Sequence, residues 1–111
     1  MSLASEELSE RIRSNMPPAL TCSEKKMFGG NCFMWRGNML VAATKDGSML
    51  ARVGKEGFED ALALPGATLM SMGTKTMAGF VQVSGDAIDD DDALAAWIDR
   101  SRAFVATLPP K

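Results

Sequence analysis

The spacing of apolar and polar residues changes twice along the chain. Leu8, Ile12 and Met16 recur every four residues and form one apolar stripe, which predicts a first helix. Ser5 is placed to cap it, and Glu6 and Glu7 fall in the first turn, where the helix dipole favours acids. Pro17-Pro18 would end it. Across residues 25–53 the period becomes two. Gly37-Asn38 and Asp46-Gly47 read as two-residue hairpin turns, of types II′ and I′, and divide the run into a three-stranded meander. Such turns pair Phe33 with Ala42, and Ala42 with Ala51.

Paired residues share a face, so the meander sorts into two sides. One carries Phe33, Trp35, Leu40, Ala42, Thr44, Met49, Ala51 and Val53 and reads as a core. The other carries Cys32, Met34, Arg36, Met39, Val41, Ala43, Lys45, Ser48, Leu50 and Arg52. That side lacks the polar alternation of a sheet face left in water. Residues 54–64 read as a short helix with Phe58, Ala61 and Leu62 on one side, stopped before Pro65. Residues 77–83 form a further strand, with Gly79 marking a bulge or a close backbone approach, and residues 68–72 suit a shorter strand before it. The last helix starts in the run Asp89-Asp90-Asp91-Asp92 and shows Leu94, Trp97, Ile98, Ser101, Phe104, Val105 and Leu108 at helical spacing.

This order predicts an α+β fold of one domain over residues 1–111, with residues 1–4 disordered. It is a two-layer sandwich in which helices cover one face of an antiparallel sheet, a meander plus one or two further strands. A length of 111 residues suits a single core. Hydrophobic residues at 46% and charged residues at 23% are those of a globular chain, which argues against disorder.

Charge and reactive groups narrow the function by exclusion. A net charge of −2 speaks against a strongly basic nucleic-acid binder or a polybasic membrane-surface protein. The absence of histidine removes Ser-His-Asp triads and histidine metal sites. The balance is uneven along the chain: residues 25–75 hold seven basic and four acidic residues, between two acidic ends. The aspartate run reads as a helix cap and first turn, since consecutive acids there cannot converge on one ion. Gly73-Thr74-Lys75-Thr76 lacks the full phosphate-loop pattern, and Glu56, Glu59 and Asp60 spread around an exposed helix. No enzyme activity, cofactor, metal or catalytic residue is assigned. The start of the chain has no secretory pattern and no apolar run spans a bilayer, so the cytoplasm is expected, with Cys22 and Cys32 as free thiols.

Several short motifs are family-like in order and spacing. Met27-Phe28-Gly29-Gly30, Cys32-Phe33-Met34, Gly37-Asn38-Met39 and Leu50-Ala51-Arg52-Val53-Gly54 come first. Met77-Ala78-Gly79-Phe80-Val81-Gln82-Val83 and the closing run from Phe104 to Lys111 follow. Together they resemble the N-terminal domain of the TfoX/Sxy competence regulators over roughly residues 5–111. The resemblance implies a secretion-chaperone-like α+β domain. For full-length regulators it implies a positive role in transcribing DNA-uptake genes, together with the cyclic-AMP receptor protein. It does not extend to their C-terminal domain, and it transfers no catalytic residues.

The expected function is therefore a non-enzymatic regulatory or interaction module. Its surface is the mixed sheet face around Met34, Arg36, Met39, Val41, Leu50 and Arg52, covered by a homodimer contact or by a regulatory protein such as a transcription factor. Two other functions compete with it. One is direct DNA binding through Lys25, Lys26, Arg36, Lys45, Arg52, Lys55 and Lys75. The other is a small-molecule or redox role of Cys32, activated by Arg36 or Arg52.

Overall fold

A computed structural model of the chain describes residues 3–16, 22–27, 30–72 and 75–109. Along the chain run α1 (Leu3–Asn15), β1 (Cys22–Met27), β2 (Gly30–Trp35), β3 (Asn38–Ala43), β4 (Met49–Arg52) and α2 (Gly54–Leu62). Then come β5 (Ala67–Met72), β6 (Lys75–Val83), a 3₁₀ turn (Gly85–Ile88) and α3 (Asp91–Val105). The six strands lie in the order β1-β2-β3-β4-β6-β5, with every neighbouring pair antiparallel. Leu8 and Ile12 of α1, Ala61 of α2, and Leu94, Trp97, Ile98 and Val105 of α3 pack in one core with Phe33, Leu40, Val41, Met49, Ala51, Val81 and Val83 of the sheet. The two-layer α+β architecture is as the hydrophobic pattern predicts. Among the described residues no helix is long and apolar enough to cross a membrane.

The sheet holds one strand more than the meander predicts. A hairpin joins β1 to β2, pairing Met27 with Gly30, so residues 22–35 make two strands rather than one. Phe28 and Gly29, between them, lie outside the described residues, as do Pro17 and Pro18. Helix α1 begins at Leu3, so Ser5 sits inside it, fully buried, rather than at its cap, and residues 3 and 4 are helical.

Both meander turns differ from expectation by one residue. Trp35 pairs with Asn38, which makes Arg36 and Gly37 the turn residues, with φ of 56° and 83°. Positive φ at both places is the type I′ geometry, whose twist matches that of the flanking strands. Farther from the turn Phe33 pairs with Val41 while Met34 pairs with Met39, leaving Leu40 as the extra residue of a bulge. The bulge turns Leu40 and Val41 both toward the helices, where each is fully buried. The second loop has three residues, Lys45 to Gly47, since Ala43 pairs with Met49. The Gly47 N–H donates to the Thr44 carbonyl at 3.1 Å and the Thr44 N–H to the Ser48 carbonyl at 2.9 Å. Gly47 alone has positive φ, 86°, the arrangement of a type I turn closed by a glycine bulge. Asp46 stabilises it: its carboxylate accepts from the Ser48 N–H and hydroxyl, at 3.1 and 2.7 Å, and from the Thr44 hydroxyl.

Two arginines hold α1 on both flanks. Arg11 donates to the carbonyls of Ile88 and Asp89, at 2.7 and 3.1 Å, and to the Asp91 carboxylate at 3.0 Å. Arg13 makes a two-pronged contact with Glu24, both distances 2.7 Å, and Glu24 also accepts from the Asn31 amide at 2.8 Å. The aspartate run serves α3 as expected, with the Asp90 carboxylate accepting from the Asp92 N–H.

The Arg13 hydrogen bond, helped by Asn31, holds Glu24 below its ordinary pKa, and hydrogen bonds from Thr44 and Ser48 do the same for Asp46. A carboxyl whose folded-state pKa is lowered stabilises the fold above its unfolded value and loses that contribution as the pH falls. Thermal stability is thus expected to decline from about pH 4.5 downward, through the lowered values of the two groups. The decline should be shallower in a Glu24→Gln, Asp46→Asn double variant, followed by circular dichroism across pH. An acid limb unchanged from the parent would assign the loss to other carboxylates.

Candidate functional site

In β4 and β6 the face of the sheet turned away from the helices is built by regular alternation. In β4, Met49 and Ala51 enter the helix-covered core, which leaves Leu50 and Arg52 outside. Arg52 pairs with Phe80 of β6 and Leu50 with Gln82, so Phe80 and Gln82 also point outward while Val81 and Val83 point in. Across β3, Leu50 faces Ala42, which faces Cys32 of β2. Cys32, Ala42 and Leu50 form a second apolar cluster, with Met34, Met39 and Phe80 partly buried against it. Cys32 is only 1% exposed and Ala42 and Leu50 5% each, although no helical residue belongs to this cluster. Among the described residues, their cover is the thioethers and the ring of their own face.

Of the six surface residues expected from the sequence, Met34, Met39, Leu50 and Arg52 lie together on this outer face. Arg36 stands exposed at the β2–β3 turn, its guanidinium carbon 5.4 Å from the Trp35 ring centre. Val41 does not belong with them. The Leu40 bulge reverses its face and puts it in the main core, and Ala43 goes with it, while Ala42 takes the outer position. Phe80 was not among the expected surface residues. Its signal is the triplet Val81-Gln82-Val83: a polar residue between two core valines marks the outward positions of β6, and Phe80 shares their parity.

A single stacked cation closes one end of the outer face among the described residues. Arg52 lies between two rings, 5.5 Å from the centre of Phe80 and 5.8 Å from that of Phe104 on α3. At the opposite end of β4, Gln82 donates to the Ser48 hydroxyl at 2.8 Å, which continues into the Asp46 turn. The Cys32 thiol is pushed up by burial, opposed only by the charge of Lys25, and neither Arg36 nor Arg52 activates it. Burial, then the Glu24 charge, also raises Cys22. Both cysteines are free thiols of low nucleophilicity, which weighs against a thiol-centred role.

The basic residues considered for DNA do not form one track. Lys25 pairs with Cys32 and Lys26 with Asn31, so they point to opposite faces of β1, while Lys55 rides on α2 and Lys45 on the β3–β4 loop. The side chain of Lys75 lies outside what is described. A groove of about 310 Å³ beside α3 is lined by Leu64, Pro65, Ala87, Ala93, Ala96, Trp97 and Arg100. Arg100 is its one charged wall residue.

Residues 16–105 match the family model of the TfoX N-terminal domain, which is most of the chain. The chain belongs to that family. Its matched span contains the whole sheet, α2 and α3, and so every element that builds the outer face. No curated protein and no solved structure matches the chain.

Proposed function

We propose that this chain is a non-enzymatic regulatory module of the competence type, acting by protein interaction through the outer face of its sheet. The observation that carries the reading is the composition of that face. A sheet with helices on one side normally alternates apolar with polar residues, yet the outward positions of β2 and β3 are Cys32, Met34, Met39 and Ala42. Methionine and arginine, the residues offered here, are enriched at protein interfaces. Methionine also adapts its shape to a partner at little cost. Membership of the TfoX N-terminal domain family supports a part in transcribing DNA-uptake genes.

The test is genetic. In the host, the gene is deleted and complemented with the parent, with Met34→Glu and Met39→Glu, or with Glu56→Lys on the exposed side of α2, and transcripts of DNA-uptake genes are counted. Deletion is expected to lower them, the parent and Glu56→Lys to restore them, and the two methionine variants to leave them low. Restoration by the methionine variants would overturn the assignment of the face. Unchanged transcripts in the deletion strain would overturn the competence role.

A further inference from the structure

The molecule is electrically layered, and the layering says what kind of partner the sheet can take. Helices α1, α2 and α3 hold nine carboxylates against five basic residues. The six strands hold a single carboxylate, Glu24, against Lys25, Lys26, Arg52 and Lys75. Glu24 faces the helix side, where Arg13 and Asn31 occupy it. Asp46, at the far tip of the β3–β4 loop, is engaged by Thr44 and Ser48. The outer face therefore presents apolar side chains bordered by Lys25 and Arg52, while the Arg36 guanidinium lies beside Trp35, which packs on the helix side.

Arg52 is held ready for an anion: its guanidinium lies against the rings of Phe80 and Phe104 and has no carboxylate partner among the described residues. Arg36 has a φ of 56°, a conformation costly for any residue with a Cβ, in the turn position that asparagine or glycine fills best. From Met34 on β2 to Phe80 on β6 the apolar strip crosses three strand spacings, about 14 Å, room for one α-helix about 10 Å across.

Resting on the outer-face reading above, we infer that the partner element is an acidic amphipathic helix. Its apolar side covers Met34, Met39, Leu50 and Phe80, and its carboxylates meet Lys25 and Arg52. A second copy of the chain fits less well, because two such faces brought together set Lys25 and Arg52 of one against the same pair of the other, and among the described residues of the strands the one carboxylate, Glu24, faces the helix side. Charge complementarity of this kind chooses among partners and speeds their encounter.

The experiment uses the full chain and three labelled 18-residue helical peptides, with leucine on one side and glutamate, glutamine or lysine on the other. Fluorescence anisotropy reads their binding. The glutamate peptide is expected to bind about tenfold or more tightly than the lysine peptide at low salt, with the gap closing as salt rises. Lys25→Glu with Arg52→Glu should reverse the order, once circular dichroism shows the variant folded. Arg36→Asn, beside Trp35 and off this face, should leave binding of the glutamate peptide unchanged while raising the melting temperature by about 4 °C, since it removes backbone strain. Equal binding of the three peptides would overturn the inference. So would light scattering that shows a dimer dissolved by Met34→Glu, or duplex DNA displacing the glutamate peptide from the same residues. These failures are separable from failure of the regulatory reading. Transcripts lost in the Met34→Glu and Met39→Glu strains, with no peptide preference, keep the face and discard its acidic partner.

Discussion

Replacing Phe33 by alanine is expected to destabilise the fold by about 3–5 kcal/mol, the usual cost of removing a buried aromatic ring. Phe33 is 2% exposed and has the largest of the fully buried side chains. It stands in the middle of β2, paired with Glu24 on one side and Val41 on the other, and belongs to the core shared with the helices. Its removal opens a cavity that strands paired on both sides cannot close. A domain of this size has roughly 5–15 kcal/mol in total, so the variant should melt some 12–25 °C lower, and a weaker parent would not fold at all. Urea unfolding checks the value, and Phe33→Leu should lie between variant and parent. A loss under about 1 kcal/mol would mean that the ring is not packed as described.

Gly30→Ala should cost nearly as much, for a different reason. A methyl group on Gly30 would lie 2.1 Å from the Ala43 carbonyl oxygen and 3.1 Å from the Ala43 carbonyl carbon and Thr44 Cα. All three are backbone atoms, which cannot swing aside as a side-chain tip would. Ala43 is fully buried and paired with both Asn31 and Met49, so displacing it disturbs two ladders. The upper range of overpacking penalties, about 3 kcal/mol, is the expected loss. The same substitution at Gly57, inside α2, provides the contrast. Nothing lies within 4 Å of a methyl group there, and exchanging glycine for alanine in a helix should stabilise by about 0.5–1 kcal/mol. Measured by denaturant unfolding, the two variants should move in opposite directions; a shift of the same sign in both would refute the clash at Gly30.

The faces of the meander show how far periodicity reaches. The core positions Met49, Ala51 and Val53 are as the alternation predicts, although both turns lie one residue from the expected place. The Leu40 bulge and the longer second loop each shift the count by one, and in β4 the two shifts cancel. In β3, between them, they do not, and there Val41 and Ala43 exchange faces with Ala42. A bulge has no local signature in Met39-Leu40-Val41-Ala42, since four apolar residues in a row fit either parity. The turn itself went to Arg36-Gly37 because type I′ twist outweighs the cost of an arginine at positive φ. The added strand β1 was hidden by its polar sequence, Cys22-Ser23-Glu24-Lys25-Lys26-Met27, which suits an edge that must not pair with other chains.

Four of the six expected surface residues share the outer face because Met34 and Met39 lie on the turn side of the bulge, and in β4 the two register shifts cancel. Phe80 joined them only when β6 paired with β4, a contact between segments some 30 residues apart that no local pattern encodes. Glu24 carries the same lesson for charge. By sequence it is one of several acids near the basic middle, and only the packing of α1 shows it taken up by Arg13 and turned from the outer face.

The order of helices and strands, the apolar stripes of α1 and α3, the aspartate cap and the family were all decided by residues close together in the chain, where spacing and backbone preference act directly. Which residues share the outer face, where the cations stand on it and which acids are withdrawn from it were decided by register and layer packing. Those depend on contacts between distant segments, and a shift of a single residue there exchanges the two sides of a strand.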